Sequence, residues 1–348
     1  MVGGKAHLRP LYILGFSNNA QDKVGMAPEQ TKSQSSPERA EKLLSIIIVN
    51  WNTRSLVADC LASVAVECAA FATGQVETLV VDNASSDDSV THIATHFPWV
   101  QLIQNTTNVG FAAANNQAMA LAKGKYILLL NSDTKVLSQT LTTMVEFMEA
   151  HPAVGASGAR YLNPDGSLQP SCYPAPTLAR ELWRMLHLDR FYPYGIYQMN
   201  DWSMHKPRAV DIVQGAALLV RRLVLDQIGF FDTAYFMYTE EVDLCQRIRR
   251  AGWPIFFVPA AMIIHYGGQS TRQAALPMFL QLYRSKILYF RKHHGAGATL
   301  LYKLILLGAT LLRLVMTPLA WLEPPERRHQ HFTLANHYRR LVMALPEM

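Results

Sequence analysis

Cysteine is scarce: the 348 residues hold four, Cys60, Cys68, Cys172 and Cys245, and none forms a CxxC pair. That excludes a disulfide-stapled scaffold, a zinc ribbon and a thioredoxin-like site, and reads as reduced thiols in a cytosol-facing protein. Charge is also sparse, at 17% of residues against 50% hydrophobic, which excludes wholesale disorder. No internal repeat, P-loop, GxGxxG fingerprint or nucleophilic Ser-His-Asp arrangement is visible.

What charge there is has an uneven distribution. The formal balance is +6 overall, but residues 271–348 hold 11 of the 32 Lys and Arg and only 3 of the 26 Asp and Glu. The body is therefore slightly acidic and the C-terminal tail strongly basic. A nucleic-acid binder spreads its cations over a folded domain with aromatics between them. A basic tail beside an apolar run points instead to an anionic membrane surface.

Residues 1–42 show no sustained period, and Gln21–Glu41 is polar. The segment reads as a disordered leader in which Met26 is an alternative start. Leu8–Phe16 is mildly apolar but is broken by Pro10 and lacks a cleavage pattern, against a secretory signal.

Beyond residue 43, short β-branched runs alternate with helical patterns. Leu44–Asn50, Val76–Asp82, Val100–Gln104 and Tyr126–Leu130 read as buried strands. Thr53–Glu67, Ser85–His96, Phe111–Lys123 and Gln139–Ala150 read as helices, the second capped by Ser85 or Ser86 with Asp87 and Asp88 in its first turn. This alternation means an α/β protein with a mostly parallel sheet and flanking helices. After Gly158 the alternation loosens. Ile212–Val220 is again regular, Arg222–Ile228 and Glu240–Ala251 are helical, Pro254–Val258 and Met262–His265 are closing strands, and Gln273–His293 is an amphipathic helix. Leu300–Leu322 is nearly continuous apolar sequence, long enough to span a bilayer, but Arg313 within it is costly there. Three placements are open: interfacial or re-entrant in a membrane, spanning it, or packed on the protein's own body.

Ligands of open α/β sheets bind beyond the carboxyl ends of the strands. Here those ends read Asn50-Trp51-Asn52, Asp82-Asn83-Ala84-Ser85, Asn105 to Gly110 and Asn131-Ser132-Asp133. A preference for turns and caps accounts for any one of these, but poorly for four in succession.

The pieces Ser45-Ile-Ile-Ile-Val-Asn-Trp-Asn52, Val81-Asp-Asn-Ala-Ser-Ser86, Asn108-Val-Gly-Phe-Ala-Ala-Ala-Asn-Asn116 and Leu128-Leu-Leu-Asn-Ser-Asp-Thr134 follow one another in order. They continue with Leu162-Asn-Pro-Asp-Gly-Ser167, Gly215-Ala-Ala-Leu-Leu-Val-Arg-Arg222, Gly229-Phe-Phe-Asp232, Tyr238-Thr-Glu-Glu-Val-Asp-Leu244 and His265-Tyr-Gly-Gly-Gln-Ser270. The ordered set, over about 44–293, resembles the inverting family-2 glycosyltransferases of the GT-A fold, in particular their bacterial rhamnosyltransferase-like branch.

The resemblance implies a Rossmann-like GT-A body with a C-terminal helical extension. Residues 43–160 would be the nucleotide-sugar-binding half, 161–272 the acceptor-binding and catalytic half, and 273–348 a basic, membrane-associating tail. It assigns Val49, Asn50, Asn52, Asp82, Asn108, Gly110, Asn115, Asn131 and Ser132 to the nucleotide sugar, with Asp82 accepting from the imide N–H of uracil or thymine. Asn131-Ser-Asp133 stands where the family has its DxD metal motif, so Asp133, with His265 as a further ligand or diphosphate contact, would hold Mg2+ or Mn2+. Glu241 would take the acceptor proton, beside Glu240 and with Asp243 as the alternative base. Acid at a helix N-terminus balanced by Arg247, Arg249 and Arg250 also accounts for that charge pattern, and Arg247 serves equally as a phosphate contact. The aromatics of 183–208 fit an acceptor-binding loop or the packing of an irregular subdomain.

The implied reaction moves a sugar, from dTDP-rhamnose or a UDP-sugar, to a glycan or polyprenyl-linked saccharide at the cytoplasmic face of the membrane. Two rivals stand beside it. One is a catalytically silent nucleotide-sugar or glycan binder on the same fold, against which the acidic group at 240–243 argues. The other is a sugar nucleotidyltransferase, which needs a Gly-rich basic loop that Asn50-Trp-Asn-Thr-Arg54 does not provide.

Overall fold

The computed structural model describes residues 42–269, 271–322 and 324–348; the expected leader, with Met26, lies outside them. The first half alternates as its pattern predicts: β1 (Lys42–Asn50), α1 (Arg54–Cys68), β2 (Val76–Asp82), α2 (Ser89–His96), β3 (Gln101–Gln104), α3 (Phe111–Leu121) and β4 (Gly124–Asn131). The second half holds β5 (Thr134–Val136), α4 (Thr140–Ala150), β6 (Ala156–Leu162), β7 (Leu168–Gln169), β8 (Cys172–Tyr173), α5 (Leu178–Met185), β9 (Arg208–Val210), β10 (Ile212–Val213) and β11 (Ala217–Arg221). It closes with α6 (Arg222–Ile228), α7 (Glu240–Arg250), β12 (Ile255–His265), α8 (Ala275–Met316) and α9 (Pro325–Ala344).

One sheet runs through both halves in the order β3-β2-β1-β4-β11-β6-β12-β5, with β7 on β6 and β9 on β12. β1 pairs parallel with β2 and β4, β2 with β3, and β6 with β12, while β11 runs antiparallel between β4 and β6. The central strands are buried on both faces, which is why they read as unbroken Ile, Leu and Val runs rather than as alternations. Two apolar clusters cover the faces: one includes Ile46, Ile48, Val57, Leu61 and Met144, the other Ile47, Val81, Met119, Leu129 and Leu244.

Several elements differ from their sequence reading. The helix expected from Ser85 begins at Ser89, because Ser85 and Ser86 are held by Asn50, Asn52 and Asp82 instead of capping it. The run 212–220 is two strands separated by Gln214–Ala216, and the Tyr161 hydroxyl bridges the gap, donating to Gln214 O at 2.6 Å and accepting from Ala217 N at 2.7 Å. The two closing strands are one, β12, with its register shifted between Val258 and Met262, where Pro259 cannot donate to a ladder.

The C-terminal extension is bent on itself. Phe290 and Tyr302 stack with ring centroids 4.5 Å apart, whereas twelve residues of straight helix span about 18 Å. The chain turns at Gly295, whose φ of 84° and ψ of 178° leave the helical region, a conformation open to glycine and strained for other residues. The arm 296–316 therefore folds back, and Tyr302, Leu306 and Ala309 join Ile287, Tyr289, Phe290, Tyr338 and Leu341 in a third apolar cluster against Met185 and Tyr235. Its other face, Leu300, Leu301, Leu304, Leu311, Leu312, Val315 and Met316, is exposed. Arg313 points inward: it donates to Met185 O and contacts His187, with its guanidinium 5.1 Å from the Tyr338 ring centroid.

The arm thus packs one face on the body, and Arg313 is an anchor there rather than a charge stranded in lipid. Arg313→Leu should lower stability by about 1–3 kcal/mol, the scale of a lost charge-assisted hydrogen bond, as read by urea unfolding. An unchanged or raised stability would mean that the arm does not pack this way.

Candidate active site

Strand register gathers the site. Asn50 lies beside Asp82 and Val49 beside Asn131 across the parallel ladders, and His265 lies beside Thr134 at the far edge. The carboxyl ends of β1, β2, β4 and β12 therefore open on one cavity of about 330 Å³. Of the residues expected there, Val49, Asn108, Gly110, Asn131, Ser132, Asp133, Glu240, Glu241 and His265 line it.

Asn50, Asn52, Asp82, Asn115 and Asp243 do not line it. Asn50 Nδ2 donates to Asp82 Oδ2 at 2.9 Å and to Ser85 Oγ at 3.1 Å, and Thr53 Oγ1 donates to Asn50 Oδ1 at 2.7 Å. Asp82 Oδ1 accepts from Ser85 N at 2.9 Å, so both oxygens of this buried carboxylate are engaged within the loop. Asn52 Oδ1 accepts from Ser86 N, and Asn115 Nδ2 donates to Phe111 O. These side chains build the rim from behind it.

At the end of β2 the cavity wall is Asn83, not Asp82. Asn83 Nδ2 donates to Asn108 Oδ1 at 2.8 Å, and its Oδ1 accepts from Val109 N at 3.0 Å, which ties the end of β2 to the loop before α3. At Gly110, φ is +89° and a Cβ would sit 2.6 Å from Phe236 O, so only glycine lets that loop approach the segment leading to α7.

At the opposite wall Asp133 Oδ1 faces His265 Nε2 at 3.4 Å, with both residues buried. Gln169 orients the imidazole. Its Nε2 donates to Asn163 Oδ1 and to the His265 carbonyl, so its Oε1 accepts from His265 Nδ1–H at 2.7 Å. With Nδ1 carrying that proton, a neutral ring presents the Nε2 lone pair to a carboxylate, a pair of acceptors that a cation between them would reconcile. Asn131 Oδ1, on the same wall, is buried with no hydrogen-bond partner. Carboxylate, imidazole and amide oxygen are a donor set that fits a divalent ion. No group of three or more His, Cys, Asp or Glu able to hold a metal occurs among the described residues, so any ion there takes its third protein ligand from an amide or hydroxyl.

Glu240 and Glu241 open α7. Tyr238 and Thr239 before them both have positive φ, 66° and 69°, costing about 1–3 kcal/mol each. That turn aims the two carboxyls into the cavity. Oε2 of each is buried without a partner. Burial, together with the charge of Glu241, raises the Glu240 carboxyl well above the usual carboxylate range, and burial raises Glu241.

Asp243 has the opposite fate. It bonds Arg247 at 2.8 Å, Lys292 at 2.8 Å and His293 at 2.7 Å, and these hydrogen bonds outweigh its burial and lower its pKa to about 2. A carboxylate so paired and turned from the cavity does not suit the proton-accepting role held open for it. Arg247 also donates to the carbonyls of Ile228, Gly229 and Phe230, so it closes the end of α6 rather than facing a phosphate. In the aromatic segment Trp202 packs on Tyr197 and Phe257, while Phe191 and Tyr192 are exposed.

Asn83, Gln169 and Gln214 are among the residues that the sequence reading left without a role. Asn83 was legible as the neighbour of Asp82; Gln169 meets His265 across 96 positions, which no local pattern reveals.

Comparison with known proteins places this site in a class. Residues 45–205 match the family model described as Glycosyl transferase family 2, and the fold is of the GT-A type. The chain thus carries a match to a glycosyl transferase family 2 domain that begins within β1, and the proteins it is similar to are glycosyltransferases. It is 28% identical over 257 residues to the N-acetylglucosaminyl-diphospho-decaprenol L-rhamnosyltransferase of Mycobacterium tuberculosis, covering 68% of this chain and 82% of that one. It is 30% identical over 172 residues to the rhamnosyltransferase WbbL of Escherichia coli K12, covering 47% and 63%. Among solved structures, the mannosyltransferase PcManGT of Pyrobaculum calidifontis, in complex with GDP-Man and Mn2+, superposes with a TM-score of 0.51 at 17% identity, covering 88% of this chain and 87% of that one.

Two stability predictions follow from the acid pattern. A raised folded-state pKa means that Glu240 binds its proton more tightly in the folded protein, so stability falls as pH rises above the ordinary 4.5. Glu240→Gln should therefore raise the melting temperature at pH 8 by several degrees and leave it nearly unchanged near pH 4. Asp243 works the other way, stabilising above its ordinary 3.8 and losing that contribution as pH falls through about 2. Asp243→Asn should cost at least about 2 kcal/mol at pH 7, with the deficit shrinking below pH 4 in acid-titrated chemical melts.

Proposed function

We propose that the chain transfers a sugar, with rhamnose the first choice, from a nucleoside diphosphate donor to a glycan or polyprenyl-linked saccharide in cell-surface polysaccharide synthesis, inverting the anomeric centre. The observation that carries this reading is that Glu240 and Glu241, each with one buried carboxyl oxygen lacking a hydrogen-bond partner, stand on the same cavity as Asp133 and His265. The rhamnosyl and polyprenyl parts draw on the names of the two relatives. dTDP-rhamnose is the leading donor and UDP-sugars follow.

In this mechanism Val49, Asn83, Asn108 and Gly110 bound the nucleoside, while Asn50, Asn52, Asp82 and Asn115 hold the loops that shape its seat. Glu241 accepts the proton of the acceptor hydroxyl as that oxygen bonds to the anomeric carbon and the bond to the diphosphate breaks. One displacement of this kind inverts the centre. Burial raises the affinity of Glu241 for the proton, moving it toward the working range of a general base. Asp133, His265 and the Asn131 amide oxygen, with Ser132 beside them, would hold Mg2+ or Mn2+, which supplies charge neutralisation for the departing diphosphate.

The same reading divides the body into a nucleotide-sugar half, 43–160, and an acceptor half, 161–272. Residues 273–348 form a peripheral contact with the cytoplasmic face of the membrane, through the exposed Leu stripe of the 296–316 arm and the basic side chains around it.

Calorimetric titration with UDP-, dTDP- and GDP-sugars, with and without Mn2+, tests the donor. Metal-dependent binding that Asp133→Ala abolishes is expected, and binding of none of them by the folded protein would remove the donor assignment. Glu241→Gln should lower kcat by about 10²–10⁴-fold while donor affinity persists; unchanged turnover would remove Glu241 from its role. For the membrane contact, the triple change Leu304→Ser, Leu311→Ser, Val315→Ser should leave the melting curve in place and release the protein from vesicles of anionic phospholipid. Retained binding would sink the contact.

A further inference from the structure

The cavity at the strand ends is rich in acid and has no fixed cation. Asp133, Glu240 and Glu241 line it, and among the described residues no Lys or Arg does. His265 gives its Nδ1 proton to Gln169 and turns Nε2 toward Asp133. Three carboxylates in one small space repel each other and repel an anionic guest. With a divalent ion held at Asp133, the two carboxyls at the start of α7 still face that guest.

The cations on the elements packed around them each have a partner already. On α7, Arg247 bonds Asp243 at 2.8 Å, Arg249 bonds Asp211 at 2.7 Å, and Arg250 bonds His293 at 2.9 Å. From α8, Lys292 and His293 both reach Asp243. Behind Glu241 lies a second cavity of about 260 Å³, where Lys286 bonds Glu181 at 2.7 Å and Arg184 stands 3.9 Å from the same acid. Burial keeps the hydroxyls of Tyr161 and Tyr173 protonated. No positive charge is thus among the influences on Glu240 or Glu241, and Oε2 of each is buried without a hydrogen-bond partner.

The two acids are not equivalent. Glu241 borders both cavities, whereas Glu240 borders the first alone. Burial raises the proton affinity of both. The backbone amides of Glu241, Val242 and Thr239 draw Glu241 back down; Glu240 has only its own amide and also feels the charge of Glu241. Amides at a helix N-terminus stabilise a carboxylate, so a single negative charge settles on Glu241.

Resting on the proposed transfer reaction, we infer that Glu240 works as a neutral carboxylic acid, keeping its proton at neutral pH and donating it in a hydrogen bond to an oxygen of the sugar being transferred. A buried setting without cations is what holds a carboxylic acid neutral for such use. The pair then presents one negative charge, on the residue that takes the acceptor proton, and no second one against the anionic donor. An ionised Glu240 could only accept a hydrogen bond; the neutral acid donates one to the sugar.

Infrared spectroscopy of the full-length protein at pH 7 tests the proton directly, through the carbonyl stretch of a protonated carboxylic acid, which lies clear of the amide bands. The band is expected in the wild type, to persist in Glu241→Gln and to be lost in Glu240→Gln. Its absence from the wild type, its loss in Glu241→Gln or its survival in Glu240→Gln would each overturn the inference.

The contact with the sugar is read from the same band. Binding of dTDP-rhamnose with Mn2+ should shift it to lower frequency, further than dTDP with Mn2+ does. A band that the bound sugar nucleotide erases, or moves no further than dTDP, would remove Glu240 from this role. Failure of dTDP-rhamnose to bind would count against that donor alone. A sugar nucleotide that does bind then takes its place, and the band of the ligand-free protein still supports or overturns the proton on Glu240.

Discussion

The parallel pairing of β1 between β2 and β4 is the constraint on which the site depends. Once Val49 is in register with Asn131 and Asn50 with Asp82, loops that are far apart in the chain emerge side by side. A one-residue slip would turn every buried Ile and Val of β1 toward the wrong face, so core packing enforces the alignment of the strand ends. The polar residues at those ends then need only short reach. Asn50, Asn52 and Asp82 spend their hydrogen bonds on one another's loops, and Asn83 and Asn108 complete the wall.

Against that frame the start of α7 is costly by design. Two successive residues in the left-handed region precede two carboxyls, each with one buried oxygen that lacks a partner. The same helix carries its own compensation one turn later. Asp243, buried and held by Arg247, Lys292 and His293, ties α7 to the first arm of α8. Three acids within four residues therefore have two kinds of environment. Desolvation uncompensated by a cation raises two of them, and charge-assisted hydrogen bonds lower the third. A group that must take a proton belongs to the first kind and a structural tie to the second.

The C-terminal extension follows from one backbone choice. Gly295 lets the chain reverse, so Tyr302 and Leu306 reach the residues that precede the turn. The apolar run, long enough to cross a bilayer, has one packed and one exposed face. Leu282, Lys286, Tyr289 and Phe290 of the first arm line the cavity behind Glu241. One helix thereby contributes both to that cavity and, through its continuation, to an apolar surface.

The α/β class, the central strands and the order of the strand-end motifs were legible from the chain alone. They rest on local rules: unbroken β-branched runs for strands buried on both faces, helical spacing between them, and Asn or Asp where the backbone turns. The acidic cluster at 240–243 was legible as a cluster. Which acid stands free and which is paired was not, because that depends on Lys292 and His293 some fifty positions away. The same holds for Gln169 on His265, for Asn83 in place of Asp82 at the cavity wall, and for the inward turn of Arg313. Each is a contact between segments whose separation in sequence carries no periodic signal. Local propensity determined the elements; only the assembled sheet, through register, burial and the competition for hydrogen-bond partners, decided what each side chain at their ends could do.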